Sequence, residues 1–169
     1  PVAGVIEPDN PLHARLPIQP CLAGQHWEWD GVAFDILHPS AQDLAQGDWG
    51  NGSSCVLRVS NAGHAAMLMG DAEFVSETRL LQRYPVAQLR ADVLLAGHHG
   101  SNSSTGSAWL QAVQPRWTLI QHGYRNRYGH PHADVLQRLQ QQGTSVVRSD
   151  ACGAAWWGSW QNEVHCERA

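Results

Sequence analysis

The sequence predicts a layered α/β fold with a mixed sheet and flanking helices. Two strand-like runs, residues 54–60 and 64–69, are joined by the turn Asn61-Ala62-Gly63. Beyond them, apolar runs alternate with helix-like segments, the pattern of β and α units in turn. Three apolar runs also stop abruptly at residues with reactive side chains. Residues 65–69 end at Gly70-Asp71, residues 93–96 end at Gly97-His98-His99-Gly100-Ser101, and residues 117–120 end at Gln121-His122-Gly123. In layered α/β folds the carboxyl edge of the strands is where chemistry gathers.

In chain order, residues 1–20 are rich in Pro and Gly without a period and read as an irregular lead-in. Residues 27–37 alternate apolar and polar around Asp30-Gly31, which predicts a hairpin turning there. Residues 38–53 read as a polar, turn-rich loop. A helix is expected over 73–84, with Phe74, Thr78 and Leu81 on its packed face and Pro85 ending it. Residues 91–96 are nearly all apolar and predict a strand buried on both faces. A helix over 104–113 has a Ser-rich start suited to an N-cap. Residues 116–121 form the next strand. A helix is expected from His130-Pro131 to Gln142, with Pro near its first position and Gly143 after its end. Two short strands, 144–148 and 154–160, follow.

The chain has 169 residues, 43% hydrophobic and 15% charged, which fits a globular class with one core. No apolar run approaches the ~20 residues that span a bilayer, and no signal peptide is visible. The first residue is Pro1, so the expectation is a fragment or a processed chain. All 11 basic residues are Arg, a bias that genomic base composition explains, and the net charge is −4. An acidic domain is a poor stand-alone binder of nucleic acid. It can still act on nucleic acid where metal ions supply positive charge. None of the four cysteines forms a Cys-x-x-Cys pair, so a cysteine zinc site is not expected. Cys55 reads as a core residue, and one disulfide among Cys21, Cys152 and Cys166 is open. The eight Trp read as packing residues rather than nucleobase platforms.

Three clusters carry the chemistry. Asp71, after Gly70 at a strand end, fits either a metal-bridging carboxylate or the N-cap of the next helix. In His98-His99-Gly100-Ser101, neighbouring side chains on an extended segment point apart, so one His is expected to bind metal and the other to orient a partner or pack. Residues 121–131 bring two His, two Arg, two Tyr and an Asn together. Arg125 or Arg127 suits a phosphate, and His130 suits an anion contact or proton donation. His130-Pro131-His132-Ala133-Asp134 imitates a His-x-His-x-Asp dimetal motif, but Val135 stands where another His is needed. Its His132 and Asp134 are expected to decorate a first helical turn.

Taken together, these segments resemble a known family. They are Asn51-Gly52-Ser53-Ser54-Cys55-Val56-Leu57-Arg58-Val59, Met67-Leu68-Met69-Gly70-Asp71-Ala72-Glu73 with Glu77, His98-His99-Gly100-Ser101, and Asn126-Arg127-Tyr128-Gly129-His130-Pro131. They look like the second half of a metallo-β-lactamase-fold domain, in particular the C-terminal domain of the ComEC family of DNA-uptake competence channels. The lead-in from Cys21 to Val32 resembles the Gram-negative branch, and the likeness spans roughly residues 20–160. The resemblance implies an αββα metallo-β-lactamase-like sandwich, of which residues 1–169 form one partial domain, the C-terminal half. It implies two divalent ions, Zn or Mn, with Asp71 bridging and His98 or His99 as a late ligand. His130 would lie beside the substrate phosphate, with Ser101, Arg125, Asn126 and Arg127 on the substrate. The implied activity is metal-dependent phosphodiester hydrolysis of DNA, single-stranded or incoming duplex, degrading the strand that is not imported. The implied setting is an inner-membrane channel protein whose remainder is the partner of this soluble, periplasmic domain.

This sequence lacks the family's main His-x-His-x-Asp-His motif, which would lie upstream of every segment quoted. The fragment alone is therefore expected to be inactive, to bind metal weakly, and to expose apolar surface. Two alternatives come from the same residues. One is a hydrolase of the same fold acting on an ester or lactone. The other is a degenerate module that binds DNA or a partner without catalysis.

Overall fold

In the computed structural model, residues 19–47 and 50–167 are described. The lead-in expectation for residues 1–20 thus falls almost wholly outside them. Strands β1 (His26–Trp29) and β2 (Val32–His38) form the expected hairpin. Asp30 and Gly31 at its tip both take positive φ, the twist a two-residue connection needs. β3 (Val56–Ser60) and β4 (Ala65–Leu68) continue the antiparallel half. β5 (Val93–Leu95), β6 (Trp117–Ile120) and β7 (Ser145–Arg148) extend it in parallel, in the order β1-β2-β3-β4-β5-β6-β7. A separate hairpin, β8 (Ala154–Gly158) with β9 (Glu163–Glu167), closes the chain.

The parallel crossovers carry the helices, since joining parallel strands takes a long connection. These are α2 (Phe74–Arg83) and α3 (Val86–Leu89) after β4, α4 (Ser107–Val113) after β5, and α5 (Ala133–Gln142) after β6. They pack on one sheet face around Val56, Met67, Met69, Leu80, Leu94, Trp109, Leu110, Ile120 and Leu139. The opposite face is also apolar. Its cross-strand row runs Ile36, Leu57, Leu68, Leu95, Leu119, Val147. Leu57, Leu68, Leu95 and Leu119 are half-buried there.

Several expectations need correction. Residues 38–53 are not a plain loop. They hold α1 (Ala41–Ala45), capped reciprocally by Ser40 and Asp43, and a 3-10 turn at Gly50–Ser53. On α2 the buried residues are Ser76, Glu77 and Leu80, while Phe74 is exposed. The buried Glu77 sets this face, because its carboxylate accepts the backbone N–H groups of Thr105 and Gly106 at the start of α4. A Ser cap for α4 is thus absent, and Gly106 stands at that N-cap. α5 starts at Ala133, not at Pro131. His132 caps it, its Nδ1 accepting from Asp134 N–H at 3.2 Å. α6 (Ser149–Cys152) and β9 gave no sequence signal. The cysteines form two disulfides, Cys21–Cys55 and Cys152–Cys166, so Cys55 is a bridge partner rather than a free core residue. Of the Trp residues, Trp109 is buried in the core, while Trp27, Trp29, Trp156 and Trp160 are exposed.

Candidate active site

β2, β4, β5, β6 and β7 all run in one direction, so their carboxyl ends share one edge of the sheet. That edge carries His38, Asp71, His98 with His99, His122 and Asp150 in strand order. Asp71 is no helix cap. α2 begins at Phe74 with Glu73 at its N-cap, which leaves the Asp71 carboxylate at the rim.

His98 and His99 lie in a tight 3-10 turn rather than an extended segment. Both take left-handed backbone, with φ of 46° and 55°. Two consecutive non-Gly residues there cost free energy. The surroundings enforce it. His98 N–H donates to Gly70 O at 2.9 Å, and Ser104 Oγ donates to Gly97 O at 2.6 Å. Gly97 lies so close to the chain at Ala72 that a Cβ would meet Ala72 O at 2.5 Å. Gly100, at φ +81, admits Pro131, whose Cβ would lie 2.8 Å from an added Cβ.

The turn sends the two imidazoles to different partners. His99 Nδ1 donates to the Gln121 carbonyl at 2.8 Å. Its lone pair then sits on Nε2, 3.4 Å from Asp71 Oδ1. Two acceptors facing one another repel unless a proton or a cation lies between them. A backbone carbonyl fixing the tautomer is also the usual support of a metal-binding His. His98 Nδ1 instead lies 3.0 Å from Glu73 Oε1 and 3.4 Å from the Asn51 amide. Ser103 Oγ donates to the same Glu73 oxygen at 2.6 Å. That hydroxyl first, then His98 and Asn51, holds the Glu73 carboxyl below the usual range against the opposing effect of burial.

His130 completes the rim, its ring 5.9 Å from that of His98. Its Nδ1 is buried without a partner. Burial first, then the neighbouring His98, His99, His122 and His132, lowers its pKa, which favours the neutral ring. Beside it lies a cavity of about 550 Å³ lined by His99, Gln121, His122, Asn126, Tyr128, His130 and Ser149. The four expected substrate residues divide. Arg125 and Arg127 stand exposed next to this cavity, over the rings of Tyr124 and Tyr128. Asn126 commits its amide to the loop, accepting from Tyr128 N–H and His130 N–H and donating to Gly123 O and His130 O. Ser101 Oγ pairs with Ser103 Oγ at 3.0 Å and so adjoins Glu73.

Sequence reasoning passed over Glu73, Asn51 and Ser103 as site residues, although all three lie in or beside the quoted motifs. It also passed over Asp150 at the end of β7. His122 Nε2 lies 3.1 Å from Asp150 Oδ1, and Arg148 pairs with the same carboxylate and lowers its pKa. A polar Ser149-Asp150 after an apolar run was the available signal. Deeper behind the rim, His38 Nε2 donates to Gly52 O at 2.8 Å, which anchors the turn that carries Asn51.

Among the described residues no three His, Cys, Asp or Glu side chains converge to hold an ion. The Asp71–His99 pair has the chemistry of two metal ligands, an imidazole nitrogen and a carboxylate oxygen 3.4 Å apart. No helix among the described residues is long and apolar enough to cross a membrane.

No protein-family model matches the chain. Individual proteins do. Competence protein ComA of Neisseria gonorrhoeae is 38% identical over 146 residues, 86% of this chain and 20% of that protein. ComE operon protein 3 of Bacillus subtilis is 42% identical over 122 residues, 72% of this chain and 15% of that protein. Recombination protein 2 of Haemophilus influenzae is 32% identical over 149 residues, 88% of this chain and 18% of that protein. The chain thus spans a fifth or less of the curated relatives it matches and is homologous to one segment of them. A solved structure from Parabacteroides distasonis, provisionally assigned as a metal-dependent hydrolase, covers 75% of the chain at a TM-score of 0.46 and 11% identity, too remote to decide the fold.

Proposed function

We propose that this chain is the C-terminal half of a metallo-β-lactamase-like domain in a ComEC-type DNA-uptake protein, and that the whole protein uses it to hydrolyse DNA. The observation that carries the reading is the rim itself. Asp71 and His99 face each other at 3.4 Å, with His98 and His130 beside them, all at the carboxyl edge of one sheet. The homology to segments of competence proteins supplies the DNA-uptake setting.

Asp71 and His99 would hold part of a site for two divalent ions, Zn or Mn. Such ions supply an activated water and neutralise charge on a phosphodiester. The chain's own residues do the rest. Gln121 O fixes the His99 tautomer, and Glu73 with Ser103 and Asn51 orients His98. His130, kept neutral, lines the cavity beside the rim, where its ring meets the phosphate. Arg125 and Arg127 bring positive charge to an otherwise acidic chain.

The strand degraded is the one not imported. The setting is an inner-membrane channel with this domain in the periplasm, and the two disulfides suit such an oxidising compartment. The alternative is a binding module without catalysis. Asp71→Asn in the complete protein separates the two. The nuclease reading expects DNA hydrolysis to fall at least about 100-fold with DNA binding retained. Unchanged cutting, or no cutting in the unaltered protein, leaves the binding module.

A further inference from the structure

Two of the chain's three tyrosines stand exposed on the loop beside the rim, Tyr124 at 70% and Tyr128 at 66%. Each carries an arginine over its ring, Arg125 at 5.2 Å and Arg127 at 4.8 Å from the centroid. Tyr128 also lies nearly parallel to His130, with centroids 5.8 Å apart and an interplanar angle of 18°. Arg127 donates to the Tyr128 hydroxyl at 2.6 Å. The result is a short file of flat groups, His130, Tyr128 and Arg127, that begins at the rim, and of these His130 and Tyr128 line the cavity.

An aromatic ring on a slack loop would say little. This loop is stitched. Asn126 alone makes four hydrogen bonds to the backbone of Gly123, Tyr128 and His130. The backbone adds Asn126 N–H to Gly123 O and Gly129 N–H to Asn126 O. Tyr128 is therefore presented in a fixed place while its ring stays open to solvent. Burial does not explain the ring, and the core does not use it.

We infer that Tyr128, flanked by Arg127 and seconded by Tyr124 with Arg125, is a stacking subsite for an unpaired nucleobase next to the reacting phosphate. The inference rests on the DNA reading above and adds which part of the substrate this loop recognises. Aromatic faces and guanidinium planes accept any base, because every base has a π-face. A paired base inside a duplex offers no such face, so the loop selects unstacked nucleotides. Arg125 and Arg127 serve the adjoining phosphates through charge, which the stack leaves available.

The test compares binding of the complete protein to a fluorescent single-stranded oligonucleotide and to an abasic strand with the same phosphates. The unaltered protein should prefer the strand that carries bases. Tyr128→Ala should weaken that strand's binding by roughly 5- to 100-fold, the range for losing one base stack, and leave the abasic strand unaffected. Tyr128→Phe should keep the preference, since it retains the ring and loses only the hydroxyl. Equal binding of both strands, an unaffected Tyr128→Ala, or equal loss on both strands overturns the subsite and leaves the DNA reading standing. No binding to either strand overturns both. Because Tyr128 is exposed, an unchanged melting temperature for the alanine variant checks that the fold is intact.

Discussion

Asp43 is a buried carboxylate whose state the surrounding donors decide. Burial alone would raise its pKa, but the Ser40 backbone and hydroxyl donors and the Arg83 guanidinium outweigh that and hold it at about 2. The folded state therefore favours the ionised form. The resulting stabilisation, about 2 kcal/mol, is present above about pH 4 and is lost as pH falls towards 2. Chemical denaturation of the unaltered chain and of Asp43→Asn at pH 7 and pH 3 should show the variant weaker at pH 7 and the gap closing at pH 3. Parallel losses at both pH values would contradict this role. Single residues were unequally legible. Asp71 and the His pair announced themselves at the ends of apolar runs. The split between His98 and His99 did not, because it depends on a left-handed turn and on the Gln121 carbonyl, 22 positions away. Glu73 was hidden by its ordinary place at the head of a helix.

At the level of elements, Gly97 shows how closely the turn must approach the end of β4. A Cβ there meets the Ala72 carbonyl at 2.5 Å and Ser104 Cβ at 3.3 Å. Neither neighbour is the far end of a flexible side chain. Gly97→Ala is expected to destabilise the fold by about 3 kcal/mol and to displace His99 from Asp71. A thermal melt reads the first effect. Metal affinity of the complete protein reads the second. A variant that melts like the original contradicts the close approach. Strand and helix order was legible from period and punctuation, as in the Asp30-Gly31 turn and the alternation after residue 91. What was not legible is contact between elements. The buried face of α2 is set by Glu77 reaching α4, and burial pushes that carboxyl up to about 7 even against two backbone donors. No local pattern encodes a partner 28 residues away. α1 was missed although Ser40 and Asp43 stand three apart, the spacing of a reciprocal cap.

Across the whole molecule, two disulfides tie loops of 34 and 14 residues. Loop closure of these lengths is worth about 4 and about 3 kcal/mol in the chain-entropy account. Reduction should lower the melting temperature by roughly 10 °C or more, and an unchanged melt after complete reduction would contradict it. The pairing was not legible because cysteine spacing leaves connectivity open. One sheet face is covered by helices and the other is apolar and half-buried. On the proposed reading Asp71 and His99 would hold the metal while Glu73 holds His98. Calorimetric titration of the complete protein with Zn or Mn tests it. Asp71→Asn and His99→Ala are predicted to weaken metal binding at least about 10-fold, and His98→Gln to weaken it less. Affinity unchanged by Asp71→Asn and His99→Ala would contradict the account.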